Sequence, residues 1–302
     1  MTAFITNDEF TAAPTGVDVS NLNAASVSST AQSGQLTQDI ARVTSLIHGY
    51  CQQRLIASTR SETRRLRFDS EGNLSIHPDW SPVIAVMSVA YGSAVNQLVP
   101  VADLSSLFVE RQTIVLQPQA LSTVTSQGPL QIGAPTYGQR IVCTYVYTHG
   151  WVSTTIPAAT TVGETSITVA DGTGVITSSY TGPNTDYTVT PGQYTIYDPN
   201  NPGGDFTETV TVTAVNGDTL TLASPGLAYA HGAGVGFSNL PGALKQAAIR
   251  GTSALIKSRG DVGMLMTQLQ NPGQPIGLDK GAWTDILAMR DALDDGPYKR
   301  IR

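Results

Sequence analysis

The chain has 302 residues, 40% of them hydrophobic and only 13% charged, with a formal net charge of −6. The apolar share is enough for a core and excludes global disorder, while the acidic balance excludes a large electrostatic drive to grip phosphate backbone. Charged residues usually reach ~25%; here Thr, Ser, Gly and Ala fill the gap, which fits a protein whose faces are covered by neighbours, a Thr-rich β protein of a virion or cell exterior, or ordinary compositional drift.

The first residues, "MTAFITNDEF", carry Asp8 and Glu9 where a secretion signal needs basic and then apolar residues, so no such signal is expected. "NDEF", with Phe4, Ile5 and Phe10 around it, reads as a short helix or a docking arm. "SNLNAASVSSTAQSG" is rich in Ser, Ala and Gln and reads as a linker or weak helix. Thr37 opens a clear helix, with Asp39 in its first turn and Ile40, Val43, Ile47, Tyr50 and Cys51 on one face, running to about Leu55. The period then changes to two. "SETRRLRFDSEGNLSIHP" reads as two short strands around a turn at 70–73, "SPVIAVMSVAYG" as a buried strand, "SSLFVERQTIVLQP" as a hairpin and "GQRIVCTYVYTHGW" as another strand.

Charge almost disappears after Trp151. "ETSITVADGTG" and "QYTIYD" read as strands, and "TETVTVTAVNGDTLTLA" as a hairpin turning at Asn216-Gly217 in a type I′ geometry. Its expected inner face is Val210, Val212, Ala214, Leu220 and Leu222. The stretch 153–238 therefore reads as a small β-sandwich or barrel with its own core. Helix returns after Leu240-Pro241, where proline suits a first turn. Leu244, Ala248, Gly251 and Leu255 form a face of small and medium residues, and Ile249, Thr252 and Ile256 a second strip, so this helix should be packed on two sides. Trp283, Ile286, Leu287, Arg290 and Leu293 mark a last amphipathic helix, before a tail ending "YKRIR".

No catalytic or metal constellation emerges from the pattern. His48, His77, His149 and His231 lack metal-ligand spacing. "HPDW" offers a His–Asp pair without a nucleophile elbow. "GAGVGF" lacks the Lys-Ser/Thr of a phosphate loop. Asp171, Asp198 and Asp205 suggest calcium only by composition, without EF-hand spacing. Cys51 and Cys143 read as buried thiols of a reducing compartment. The basic cluster "RSETRRLR", with Arg60, Arg64, Arg65 and Arg67, could touch nucleic acid, but no aromatic residues interleave it, so an inter-subunit ion-pairing role is expected instead. The expectation is a protein that is not an enzyme and takes no cofactor.

The order of parts carries a resemblance. "ARVTSLIHGYCQQRL" precedes short strands, "PVIAVMSVAYG" sits in the middle, and "YTHGW" and "LPGALKQAAIRGTSALI" follow. This order resembles the head-to-tail connector, or adaptor, proteins of tailed bacteriophages. The match spans 37–150 and 240–260; family members usually pass from the "YTHGW"-like strand to the "LPGALKQ"-like helix within a few residues, whereas here the β stretch intervenes. The resemblance implies an α+β fold. It divides the chain into an N-terminal arm or linker at 1–36, a helical connector core at 37–152 and 239–302, and an inserted all-β domain at 153–238. It also implies a dodecameric ring below the portal protein in the virion neck, assembled in the host cytoplasm and joined to the next neck or tail component. DNA passes through such a ring without specific binding. Tyr298, Lys299, Arg300, Ile301 and Arg302 are the expected portal contact, and Arg64, Arg65, Arg67, Leu244, Ala248 and Leu255 the expected subunit contact. The competing reading is a decoration or host-glycan-binding module, for which an exposed cluster of Tyr187, Tyr194 and Tyr197 is the expected sign.

Overall fold

The computed structural model describes residues 3–26, 28–105, 107–110, 113–116, 138, 140–181, 184–185, 190–201, 207–258, 269, 280–294 and 298. A short helix α1 (Asn7–Ala12) opens the chain, fixed by a capping box in which the Thr6 hydroxyl accepts from the Glu9 amide and the Glu9 carboxylate accepts from the Thr6 amide. Helix α2 (Ser29–Cys51) follows, with Ser28 as its N-cap and Gln52 in a left-handed conformation as its C-cap. It starts eight residues before the expected Thr37. The local signal there is weak, and long-range contacts recruit the extra turns. Gln32 bonds the backbone of Asn23 and Ser26, and Asn7 bonds the Ser33 and Thr37 side chains.

Strands β1 (Ser58–Arg67), β3 (Val83–Gly92), β4 (Val99–Pro100) and β7 (Arg140–His149) form one antiparallel sheet in the order β1-β7-β3-β4. Strands β2 (Leu74–Ile76), β5 (Leu107–Glu110) and β6 (Thr113–Leu116) form a second sheet. β10 (Asn184–Thr185) joins its edge, parallel to β5. The two sheets enclose a core of Phe68, Leu74, Ile76, Val89, Ile114, Ile141, Tyr145 and their neighbours. The sequence expected β3 to be buried throughout. Instead a register shift between Val86 and Ser88 turns Met87 outward, leaving it 60% exposed.

The third sheet has six antiparallel strands in the order β8 (Ser153–Ile156), β14 (Val235–Ser238), β11 (Gln193–Tyr197), β12 (Thr207–Asn216), β13 (Thr219–Leu222), β9 (Ser166–Thr168). All six strands come from 153–238, and Ser153 pairs with Ser238, so the two ends of the stretch lie side by side. Its core contains Tyr194, Ile196, Val212, Leu220 and Phe237, together with Ala57, Ile84 and Val152 from outside the stretch. The β12–β13 turn falls one residue later than expected. Asn216 pairs with Thr219, so Gly217 and Asp218 are the central residues, and only Gly217 has positive φ. That is the type II′ pattern, with glycine first. A register shift between Val212 and Ala214 reverses the parity of β12, so Val215 rather than Ala214 faces Leu220 and packs on the core.

Helices α3 (Gly242–Lys257) and α4 (Lys280–Asp294) pack with α2 into a separate apolar cluster, which also holds Phe4, Phe10, Trp151 and Tyr298. The described residues thus make three sheets and four helices. This corrects the expected α+β fold built on a helical connector core: the protein is mostly β. The reason lies in β1, β3 and β7, each of ten residues. Their paired length makes an extended body of its own, where the sequence reading counted short strands beside helices.

All three cores meet at Gly150, where φ is +93° and a Cβ would fall 2.6 Å from the Leu55 carbonyl oxygen. Gly150→Ala is expected to cost roughly 3 kcal/mol or more, from backbone strain plus this clash. A denaturant melt of the variant checks it, and a midpoint matching wild type would refute this account of the junction.

Candidate functional site

Strand β1 alternates strictly. Arg60, Glu62 and Arg64 face the inside, while Thr59, Ser61, Thr63, Arg65 and Arg67 face out and are exposed. On the inner side, Glu62 is buried and fully engaged. The hydroxyls of Tyr145 and Tyr147 each donate to it at 2.7 Å, Arg60 Nε lies at 2.9 Å and Arg64 Nε at 3.4 Å. The Asp79 amide also donates to Glu62. Asp79 in turn pairs with both guanidinium groups, and that of Arg60 lies 4.0 Å over the Trp80 ring. Burial raises the pKa of Tyr145 and Tyr147, and donation to Glu62 raises it further, so both phenols remain neutral donors. With two cations and two carboxylates in mutual contact, the cluster is a rivet between β1, β7 and the turn before β3, and leaves no acceptor on Glu62 free for chemistry.

Beside it, the Ser58 hydroxyl lies 3.0 Å from Nε2 of the fully buried His149. This pair is not a nucleophile and base. Among the described residues no carboxylate meets Nδ1, and burial, helped by Arg60, Arg54 and His48, lowers the imidazole to about 3. A base that weak takes no proton from a hydroxyl near neutral pH. His48 is likewise lowered to about 4 by burial and by Arg54. His77 bonds Thr113 instead of Asp79, which dissolves the His–Asp reading. His231, scattered by sequence, is buried between two carboxylates, with Nδ1 3.3 Å from Asp198 and Nε2 2.9 Å from Glu208. Backbone amides of Ala228, Tyr229 and Gly232 also donate to these acids. Thus Asp198 is occupied by His231, Asp171 caps the Thr173 amide elsewhere, and Asp205 lies outside the described residues. Among the described residues no group of His, Cys, Asp and Glu has a metal-holding arrangement.

A groove of about 800 Å³ runs between residues 3–9, α2 and the β8–β14 edge. Gly234 and Gly236 of "GAGVGF" line it, but the Glu9 carboxylate lies against Gly236. A carboxylate there opposes an anion, so the glycine run is not a phosphate cradle. Cys51 and Cys143 are both buried thiols, and burial pushes the Cys143 thiol up to about 12. No helix among the described residues is long and apolar enough to cross a membrane.

The expected interface residues divide sharply. Leu244, Ala248 and Leu255 are buried inside the chain. The small-residue face of α3 is filled by the chain's own helices, because a Cβ on Gly251 would fall 2.7 Å from Val43 of α2 and 2.8 Å from Met289 of α4. The two-sided packing of α3 is therefore intramolecular. Tyr298 is also covered: its ring meets Trp151 edge-on at 5.6 Å and its carbonyl accepts from Gln53. Lys299, Arg300, Ile301 and Arg302 lie outside the described residues. Arg64 is held by Glu62 and Asp79, whereas Arg65 and Arg67 are exposed. Arg140, which the sequence reading did not single out, stands directly opposite Arg67 on the same outer face. Its signal was present: pairing "RRLR" antiparallel with "RIVC" sets the two arginines together.

Because His48 and His149 are held neutral below their ordinary pKa, the unfolded chain binds more protons as pH falls below about 6.5. Stability from these two groups is therefore complete above that value and declines from pH 6.5 down to about 3. The loss should be on the order of several kcal/mol. His149→Gln should be less stable at pH 7 and lose less on acidification, as read from denaturant midpoints at each pH. Parallel pH profiles for the two proteins would refute the assignment to His149.

Comparison with known proteins finds no matching family model and no matching curated protein.

Proposed function

We propose that this chain is a structural virion protein, a ring-forming head-to-tail adaptor that joins the portal to the next neck or tail component and forms part of the DNA passage. The observation that carries the reading is the meeting of Val152 with Asn239. The Asn239 amide donates to the Val152 carbonyl at 3.2 Å, and the Val152 amide donates to Asn239 Oδ1 at 2.8 Å. Strand β7 and helix α3, which resemble segments that adaptor proteins join almost directly, are thus neighbours in space despite the β stretch between them. The engaged or neutral state of the buried histidines and of Glu62 also supports a non-catalytic role. On this reading the protein is assembled in the host cytoplasm and resides in the virion neck.

The glycan-binding alternative loses its expected platform. Tyr194 is buried and stacked on Phe237, Tyr197 is half-buried with Lys245 near its ring, and Tyr187 lies outside the described residues.

Electron cryo-microscopy of purified protein mixed with portal, or of whole particles, should show rings of this chain at the head–tail junction; its absence from the neck would sink the proposal. Replacing 153–238 by a short Gly/Ser link between Val152 and Asn239 should still give rings, since those residues already touch. Truncation of 299–302 should weaken portal attachment without moving the melting temperature, whereas removing Tyr298 as well should lower it through the lost Trp151 contact. Unchanged attachment on removing 299–302 would count against the tail as the portal contact.

A further inference from the structure

Most of the described cations of this protein are paired. Arg42, Arg60, Arg64, Lys245, Arg250, Lys257 and Arg290 each contact a carboxylate. Among the described residues Arg54, Arg65, Arg67 and Arg140 have no ion pair, and the last three share one patch. Arg67 and Arg140 are cross-strand partners, and Arg65 lies two residues along β1 on the same face. All three are exposed. Like charges directly opposite on a sheet repel, and among the described residues no carboxylate on β1, β7 or β3 relieves them: Val142 stands opposite Arg65, and the other outward neighbours are Thr59, Ser61, Thr63, Thr144, Val146 and Ser88. The lone chain therefore keeps an uncompensated cost at one end of a neutral sheet face.

We infer that this arginine end of the outer β1–β7–β3 face is where a second copy of the chain docks through its carboxylates, in a head-to-tail contact. The inference rests on the ring reading above and names the surface that makes the ring. Charge complementarity selects the occupant. Taking three positive charges from a net of −6 leaves −9 on the remainder of the chain. That remainder includes exposed carboxylates at Asp8, Asp103, Glu110, Asp218 and Asp291 with no ion pair among the described residues. A copy thus offers the patch what it lacks, whereas the same acidic remainder repels a phosphate backbone. Symmetry fixes the kind of contact. A two-fold interface centred on the patch sets arginine against arginine, so the favourable contact is heterologous, and heterologous contacts that close make rings. Guanidinium forks suit such carboxylate pairing better than ammonium groups.

The test is the mass distribution of the full chain by light scattering and mass photometry at low and high salt. Wild type should assemble beyond a dimer, less so at high salt. The triple reversal Arg65→Glu, Arg67→Glu, Arg140→Glu should weaken assembly at least about tenfold, because like charges then face each other across the contact. Its melting temperature should stay close to that of wild type, since one like-charge repulsion replaces another and all three sites are exposed. Arg65→Lys, Arg67→Lys, Arg140→Lys should assemble with intermediate strength. Rings that survive the triple reversal overturn this inference and leave the ring reading standing. A wild-type chain that stays monomeric or forms only two-fold dimers overturns it, as does a monomer that binds double-stranded DNA through these arginines. Charge-dependent rings in solution, with the chain missing from the neck of particles, uphold the docking surface and refute the proposed function instead.

Discussion

Everything in this structure depends on the crossing of residues 149–152 over 55–57. The Gly150 amide donates to the Pro82 carbonyl, the Trp151 amide to Leu55, and the Ala57 amide to Trp151. Only a glycine lets the two backbones come this close at positive φ. Consecutive side chains then leave for different cores. Tyr147 enters the two-sheet core, Trp151 the helical cluster, and Val152 the core of the six-stranded sheet. A short segment thereby fixes three bodies that sequence alone would allow to move independently. Asn239 extends the same crossing by bonding Val152 just before α3 begins.

The crossing explains how a long β segment is accommodated. Its ends are paired at Ser153 and Ser238, so its length does not separate β7 from α3. The segment is nonetheless not sealed from its host. Ala57 and Ile84 contribute to its core, and β10 pairs with β5 in the second sheet. Removing it would expose Ala57, Ile84 and Val152, so its loss carries a stability cost distinct from any effect on assembly.

What the sequence made legible was local. The register-independent features, such as the β-branched and aromatic run of β7 and the helical face of α2 from Ile40 to Cys51, could be read because each is set by residues close to one another in sequence. The helix start at Ser29 was legible only as a linker or weak helix, because Asn7, which helps to hold it, lies 26 residues from its partner Ser33. Turn placement in β12–β13 failed by one residue because Asn216-Gly217 and Gly217-Asp218 are both acceptable turn pairs, and the bulge at Val212 decides between them. The Glu62 cluster escaped notice since its tyrosines lie 83 and 85 residues away. Its only sequence trace is the two-residue spacing of Arg60, Glu62 and Arg64 against that of Tyr145 and Tyr147. The small-residue face of α3 was read correctly as a close-packing surface, but nothing in a sequence says whether the partner helix belongs to the same chain.

That last ambiguity applies to charge as well. In a chain with so few charges, α3 turns Arg250 and Lys257 onto Asp285, α1 turns Glu9 onto Lys245, and β1 turns Arg60 and Arg64 onto Glu62 and Asp79. Each of these pairings is made inside the chain. Against this habit of internal neutralisation stand the exposed Arg65, Arg67 and Arg140, of which Arg67 and Arg140 are directly opposite each other. Apolar contacts that the sequence suggested for neighbours are consumed internally, while the polar surface they left behind carries the imbalance. On the proposed docking, recognition between copies rests on where charge is left over, because the Thr- and Ser-rich sheet face supplies little direction of its own.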